Sequence, residues 1–356
     1  MDRMDSALQN LRGRVIEANA AKTPLRLRGA GSKDFYGERC DGTLLDMRGY
    51  RGVVDYEPSE LVITARCGTS LSEVESLLAR HQQFLAFEPP AFAADPTIGG
   101  IIACGLSGPR RCQAGAARDF VLGAALLCAD GQLLHFGGKV IKNVAGFDVA
   151  RLLCGSLGIL GAITEVSLKV LPLPRAEQTL RFEMTADAAL ESFNRWAGQP
   201  LPISATGWCN GQAWLRLSGA PSALRAARTR LGGELLDAAP ADEWWRGLRH
   251  QTHAFFREAH TLWRLSLPST AAPLAGAGPQ LIEWGGALRW CASDLPAAEL
   301  RGLATAAGGT ALHWRGGEAG QRFHPLAPTL LAIHRRLKAR FDPHRIFNPG
   351  RLIADL

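Results

Sequence analysis

The sequence predicts an α+β protein: a first domain over residues 1–174, a smaller α+β second domain over 175–320, and a C-terminal segment, 321–356, that returns to the first. Three observations carry this. Glycine is dense between Asp95 and Thr164 and alternates there with aliphatic residues. After Leu171-Pro-Leu-Pro174 glycine thins and tryptophan rises, with eight of the nine tryptophans between 208 and 314. From that point short strand-like runs alternate with helical ones, an order that suits an antiparallel sheet with helices on one face.

The elements follow in order. Residues 6–20 have helical spacing, with Leu8, Leu11, Val15 and Ile16 on one face. Pro24-Leu-Arg-Leu-Arg28 alternates like a strand and runs into the turn Gly29-Ala-Gly-Ser-Lys-Asp34. Ser70-Leu-Ser-Glu73 is a capping box, and the helix behind it turns Leu71, Val74, Leu77 and Leu78 inward. Residues 121–129 and 132–136 form a hairpin around Asp130-Gly131, a two-residue turn signal. Residues 162–170 are a strand. Beyond 174, strands are expected at 179–184, 203–209, 213–218, 234–236, 261–267, 281–284, 287–292 and 310–314. Helices are expected at 187–196, 222–231 and 296–307. Leu330, Ile333, Leu337 and Phe341 recur at helical spacing until Pro343 stops the run. Residues 341–351 are rich in turn formers and read as a clamp that docks on the first domain.

Composition excludes several classes. The chain has 356 residues, 47% of them hydrophobic and 21% charged, enough for a sizeable core and not the profile of a disordered chain. No run approaches the roughly 18 apolar residues of a membrane span. The first residues contain no apolar signal core, so the expected location is the cytoplasm. The net charge is +7, and arginine supplies 34 of the 40 basic residues. A compositional bias toward arginine and an attraction for anions both fit this. The basic residues are scattered without aromatic interleaving, which argues against nucleic acid. The eight cysteines include no C-x-x-C pair, so neither a zinc site nor an iron–sulfur cluster is expected. Any one-electron carrier must then lie in another chain.

The glycines point to a backbone that approaches a large ligand closely. A strand ending in Gly-Ala-Gly-Ser-Lys suits a phosphate, because backbone N–H groups point inward beside a cation. The dinucleotide fingerprint G-x-G-x-x-G fails, since position 34 is Asp. A Walker A loop fails as well: Gly138-Lys139 is followed by Val140, and position 133 is Leu. The turn alone also fits a plain glycine turn. Gly155, Gly158 and Gly161 fit either ligand approach or close helix–strand packing.

Taken together, these segments resemble the FAD-binding family of vanillyl-alcohol oxidase type, the PCMH fold. Arg28, Gly29, Ala30, Gly31, Ser32 and Lys33 are similar to its pyrophosphate loop. Asp95, Pro96, Thr97, Gly99 and Gly100, with Gly105, Ser107 and Gly108, are similar to its second flavin motif. Gly155, Ser156, Gly158 and Ile163 resemble the segment that grips the adenine and ribityl end, and Arg118 belongs to the same implied set. Phe347-Asn-Pro-Gly-Arg351 resembles the closing signature of the branch that oxidises 2-hydroxy acids. The stretch from Lys139 to Leu152 and the short second domain are similar to the E-type subunits of bacterial glycolate oxidases.

The resemblance implies FAD as cofactor, a small 2-hydroxy acid such as glycolate as substrate, and a complex with a sister FAD subunit and an iron–sulfur subunit. Association with the inner membrane would come through that complex. A stand-alone sugar or lactone oxidase of the same fold and a non-catalytic assembly subunit are the other readings. Many relatives attach flavin through a histidine in or near the first loop. Here Ser32 and Lys33 stand there, so the expected FAD is non-covalent. The catalytic branch also uses a histidine-rich site in its second domain. His250 and His253 are three apart and fit either a metal-binding helix face or a solvated one. His324 is the candidate catalytic residue near the flavin, with a structural role as the other reading. No metal is expected.

Overall fold

The strand Leu25–Arg28 lies parallel to Thr43–Asp46 and forms a bridge to Phe347 from the far end of the chain. The long N-terminal helix, Arg3–Ala21, packs Leu11, Val15 and Ala18 into the core beneath them, with Leu25, Leu45, Leu127, Ile346 and Phe347. Burying apolar side chains of this size contributes about 1.5–3 kcal/mol each. Ile16, expected inside, is 43% exposed. The computed structural model describes residues 3–92, 95–138, 147–317 and 321–356. The sequence stretch 139–146, part of the family resemblance, lies outside them.

The chain divides into two units. Unit 1 comprises Met1–Leu106, Ala116–Pro172 and Pro325–Leu356. Unit 2 comprises Ser107–Gly115 and Leu173–His324. The segment Ser107–Gly115 thus belongs with unit 2, a departure from the contiguous first domain expected from sequence. Its contacts explain this: the Trp284 indole N–H donates to Gly108 O at 3.0 Å, and the Arg111 guanidinium lies 4.4 Å from the Trp284 ring centre.

Unit 1 is built on a five-stranded antiparallel sheet in the order Val53–Glu57, Val62–Arg66, Ala162–Lys169, Val121–Leu127, Leu133–Gly137. The hairpin around Asp130-Gly131 is present, with Gly131 at φ 80°. The helix Leu71–Arg80 starts on Ser70, whose hydroxyl accepts the Glu73 N–H. Caps of this kind contribute about 1 kcal/mol.

In unit 2 an eight-stranded sheet runs Glu234–Leu235, Ala176–Glu183, Gln212–Gly219, Ile203–Cys209, Gln280–Glu283, Leu288–Ala292, Leu262–Ser266, Thr310–Arg315, and all its pairings are antiparallel. Helices Ala186–Ala197 and Pro221–Leu231 pack against Leu180, Leu215 and Leu217, and Ala297–Ala306 packs against Trp263, Leu265 and Cys291. Strand alternation puts Trp214, Gly207 and Trp290 on the opposite face. There Ala238–His250 stacks Trp244 on Trp214, and Ala254–Glu258 sets Phe256 against Trp290. Helices therefore cover both faces of this sheet rather than one.

Candidate functional site: a glycine-walled cleft in unit 1

The first wall of the cleft is the turn after Leu25–Arg28. Arg28 Nε donates to Asp34 Oδ2 at 2.7 Å and closes the turn on itself. Its backbone rests on the start of the next wall. A Cβ on Gly29 would stand 2.1 Å from Thr97 Oγ1, an oxygen already engaged as the cap of the helix Ile98–Cys104. That short helix is the second wall. It packs down on Cys67, since a Cβ on Gly99 would lie 2.6 Å from Cys67 Cβ and 3.0 Å from its carbonyl oxygen. Both approaches require glycine.

The third wall comes from 157–163 and from the C-terminal tail. Asn348 ties them together: its Oδ1 accepts the Leu27 N–H at 2.7 Å, and its Nδ2 donates to Leu157 O at 2.7 Å. The Arg351 guanidinium donates to four backbone carbonyls, those of Lys33, Asp34, Tyr36 and Glu38. The tail is anchored by Lys338, whose ammonium donates at 2.7 Å to Ile159 O, Phe347 O and Asp342 Oδ2. Asp342 in turn accepts the Ile346 and Phe347 N–H groups. Burial pushes the Lys338 ammonium down from its usual range, and Asp342 pulls it back up.

The cleft between these walls holds about 770 Å³ of space, part of it open to solvent. Its charge is unbalanced. Arg28, Lys33 and Arg351 line it against one carboxylate, Asp34, which is paired with Arg28. Lys33 is 7% exposed, and burial pushes its ammonium down to about 8. Cys104 beside it is pushed up to about 11 by the same burial. Fixed cations around a backbone-rich surface suit a ligand with a doubly charged pyrophosphate.

The residues expected from sequence divide into two sets. Arg28, Gly29, Ala30, Gly31, Ser32, Lys33, Pro96, Thr97, Gly99, Gly100, Gly158 and Ile163 line the cleft. Asp95, Gly105, Ser107, Gly108, Arg118, Gly155 and Ser156 are not among its lining residues. Asp95 accepts hydrogen bonds from Ser72 N–H and Oγ–H at the start of the helix Leu71–Arg80. Gly105 is the left-handed cap that ends Ile98–Cys104, with its Cα side against Gly155. Ser156 Oγ accepts the Gly158 N–H at 3.4 Å and so shapes the wall from behind. Arg118 sits in the turn Ala117–Phe120, and Ser107 and Gly108 belong to unit 2.

His324 lies in unit 2, where its Nδ1 accepts the Ala311 N–H at 3.3 Å. His250 ends the helix Ala238–His250, and left-handed Gln251 separates it from His253, which caps Ala254–Glu258. The two histidines thus share no helix face. Among the described residues no cluster of three or more His, Cys, Asp or Glu could hold a metal. Sequence reading missed Met47, Cys67, Cys104 and Leu157 as lining residues. Asn348 and Arg351 were in view only as part of the closing motif.

Comparison with known proteins decides the family. Residues 9–137 match the FAD binding domain family. The chain is 46% identical to the glycolate oxidase subunit GlcE of Escherichia coli (strain K12), over 98% of both chains. The chain belongs to the family of that subunit, within the PCMH-type FAD-binding proteins. The matched residues lie in unit 1 apart from Ser107–Gly115, and the cleft's excess positive charge and glycine walls fit FAD. More distant members share only part of the chain. The glycolate oxidase subunit GlcD of Bacillus subtilis (strain 168) is 31% identical over 45% of this chain and 34% of its own. A D-lactate dehydrogenase of Archaeoglobus fulgidus is 30% identical over 42% of this chain and 34% of its own. A solved structure of alkyldihydroxyacetonephosphate synthase superposes with TM-score 0.68 at 17% identity, covering 96% of this chain and 74% of that one, a likeness of fold. No helix among the described residues is long and apolar enough to cross a membrane.

Proposed function

We propose that the chain is the FAD-binding subunit of a glycolate oxidase complex, which oxidises glycolate or a related 2-hydroxy acid to the 2-oxo acid. The observation that carries this reading is the 46% identity to the GlcE subunit over nearly the whole length of both chains. The cleft in unit 1 supports it chemically. Bound FAD would supply the hydride acceptor for the substrate α-carbon. The chain's own residues hold and orient it. The turn 29–33 with the cations Arg28 and Lys33 would hold its phosphates, and Thr97, Gly99, Gly100, Gly158 and Ile163 would wall the rest, since all of them line the cleft. Electrons would then pass to an iron–sulfur partner subunit, as the resemblance to the glycolate oxidase subunits implies.

The cofactor is held without a covalent bond. Among the described residues no histidine lines the cleft, and the first loop carries Ser32 and Lys33. Acid precipitation of the purified protein leaves the pellet colourless in this reading; a yellow pellet contradicts it.

A second reading, in which a sister subunit performs the oxidation and this chain carries flavin, draws on one observation. The cleft's carboxylate, Asp34, is committed to Arg28, and neither a histidine nor a second carboxylate is among its described lining residues. Anaerobic addition of glycolate to the purified chain distinguishes the two. Bleaching of the flavin in the chain alone assigns oxidation here. Bleaching only after the sister subunit is added assigns it there. No bleaching with both present contradicts the glycolate reading.

A further inference from the structure

We propose that Lys33 is the charge-matching residue of the cleft: its ammonium faces an anionic group of the bound cofactor, and loading the cleft takes up a proton. The inference rests on the FAD reading and concerns what this chain's own lysine does toward that group.

The geometry singles Lys33 out. It lines the cleft and is 7% exposed. Its ammonium donates to Ser32 Oγ at 3.3 Å and lies 5.5 Å from the Phe92 ring centre. Neither neighbour carries a charge, and no carboxylate pairs with Lys33 among the described residues. The other charged groups around the cleft are committed. Arg28 is paired with Asp34 at 2.7 Å in the same turn. Arg351, from the tail, spends its guanidinium on the carbonyls of Lys33, Asp34, Tyr36 and Glu38. Cys104, on the helix packed against the turn, and Cys67, beneath it, are both pushed up by burial, Cys104 to about 11. Both thiols are therefore neutral near pH 8.

A buried ammonium without a counter-ion is costly, and the cost falls if the group releases its proton or gains an anion. In the empty cleft the first route is open, because burial pushes Lys33 down to about 8. A phosphate of the cofactor beside the ammonium opens the second and restores the proton. Binding and protonation are then linked. Above about pH 8 the empty cleft holds a neutral lysine, and the loaded cleft holds a charged one. Affinity must fall as pH rises, because each binding event has to collect a proton from a more dilute supply.

Flavin-free protein titrated with FAD tests this. Calorimetry at about pH 9 in two buffers of different ionisation enthalpy reads the protons taken up. Quenching of flavin fluorescence reads Kd from about pH 7 to pH 9.5. The expected result for the wild type is uptake of close to one proton at about pH 9 and a Kd that rises by up to tenfold per pH unit above about 8. Lys33→Arg keeps a permanent charge, so it binds with a flat pH profile and no uptake. Lys33→Met binds at least about tenfold more weakly at pH 7, again with no uptake. Wild-type binding without proton uptake overturns the inference while leaving the FAD reading intact. Lys33→Met that keeps both wild-type affinity and uptake also overturns it. A wild type that takes up no FAD at any pH overturns both together.

Discussion

In unit 1 the buried polar side chains Lys33, Lys338, Asp342 and Asn348 gather at the cleft or at the tail that shapes it. Unit 2 is organised around tryptophan instead, with Trp214 and Trp244 stacked at 4.2 Å and Trp290 packed between Phe256 and Trp314. The first arrangement is specific: each polar atom has one place to go, and the walls of a binding site depend on it. The second rests largely on packed area, which many sequences can supply, with polar partners set among the rings, as where the Trp290 and Trp314 indoles donate to Glu283 and Gln251. The FAD binding domain match, at 9–137, ends before the main body of unit 2, and the more distant relatives share less than half the chain. What is shared is the part where chemistry dictates residues.

The contrast can be broken most sharply at Asp342. Asp342→Ala leaves the Lys338 ammonium buried without its counter-ion, and should cost about 3–5 kcal/mol of stability in urea unfolding together with the loss of FAD binding. Replacing both residues with apolar ones of similar volume should recover much of the stability. Trp244→Ala should cost a similar 3–5 kcal/mol through the cavity beside Trp214. It should leave FAD affinity unchanged, because every lining residue of the cleft belongs to unit 1. A large loss of flavin affinity in Trp244→Ala would undo the separation of roles.

Lys33 sharpens the same point through pH. Burial pushes its ammonium down from the ordinary 10.5 to about 8. Between those values the unfolded chain binds the extra proton, so this group's contribution to stability rises with pH across that window. Flavin-free Lys33→Met escapes the penalty altogether. It should be more stable than wild type by up to about 3 kcal/mol at pH 7, and the gap should close toward pH 10.5. Gly99→Ala puts a methyl group 2.6 Å from Cys67 Cβ, and should lower stability by about 1–3 kcal/mol through overpacking, with a matching fall in melting temperature, and weaken FAD binding by about tenfold.

Much of this was legible in the sequence. The turn at 29–34 and the glycines at 99, 100 and 158, which the sequence marks as close to a ligand, line one cleft. The helix Leu71–Arg80 followed from its cap, and the strands of unit 2 from their alternation. The helix Ile98–Cys104 was missed because two glycines interrupt its pattern; Thr97 and the burial of Ile98, Ile101 and Ile102 hold it instead. Lys338 reads as a solvent-facing residue on an amphipathic helix, and only the fold reveals that it plugs the core beneath the tail. Ile16 and Ala18 are both on plausible faces of the first helix, and spacing alone chose the wrong one. Of the flavin motifs, Asp95, Gly105 and Ser156 act one step behind the wall, on the elements that form it. A motif marks such residues as surely as those that touch the ligand, and sequence does not separate the two.

That the glycine-walled cleft of unit 1 seats FAD is read from the visible absorbance spectrum of the purified chain beside that of Gly100→Trp, a cleft-lining position where an added Cβ meets only Thr97 Oγ1, at 3.3 Å. The wild type is expected to show a flavin spectrum with about one FAD per chain, and a folded Gly100→Trp protein to lose it. A colourless wild type that takes up no added FAD, or a Gly100→Trp protein that stays yellow, would overturn the FAD seat.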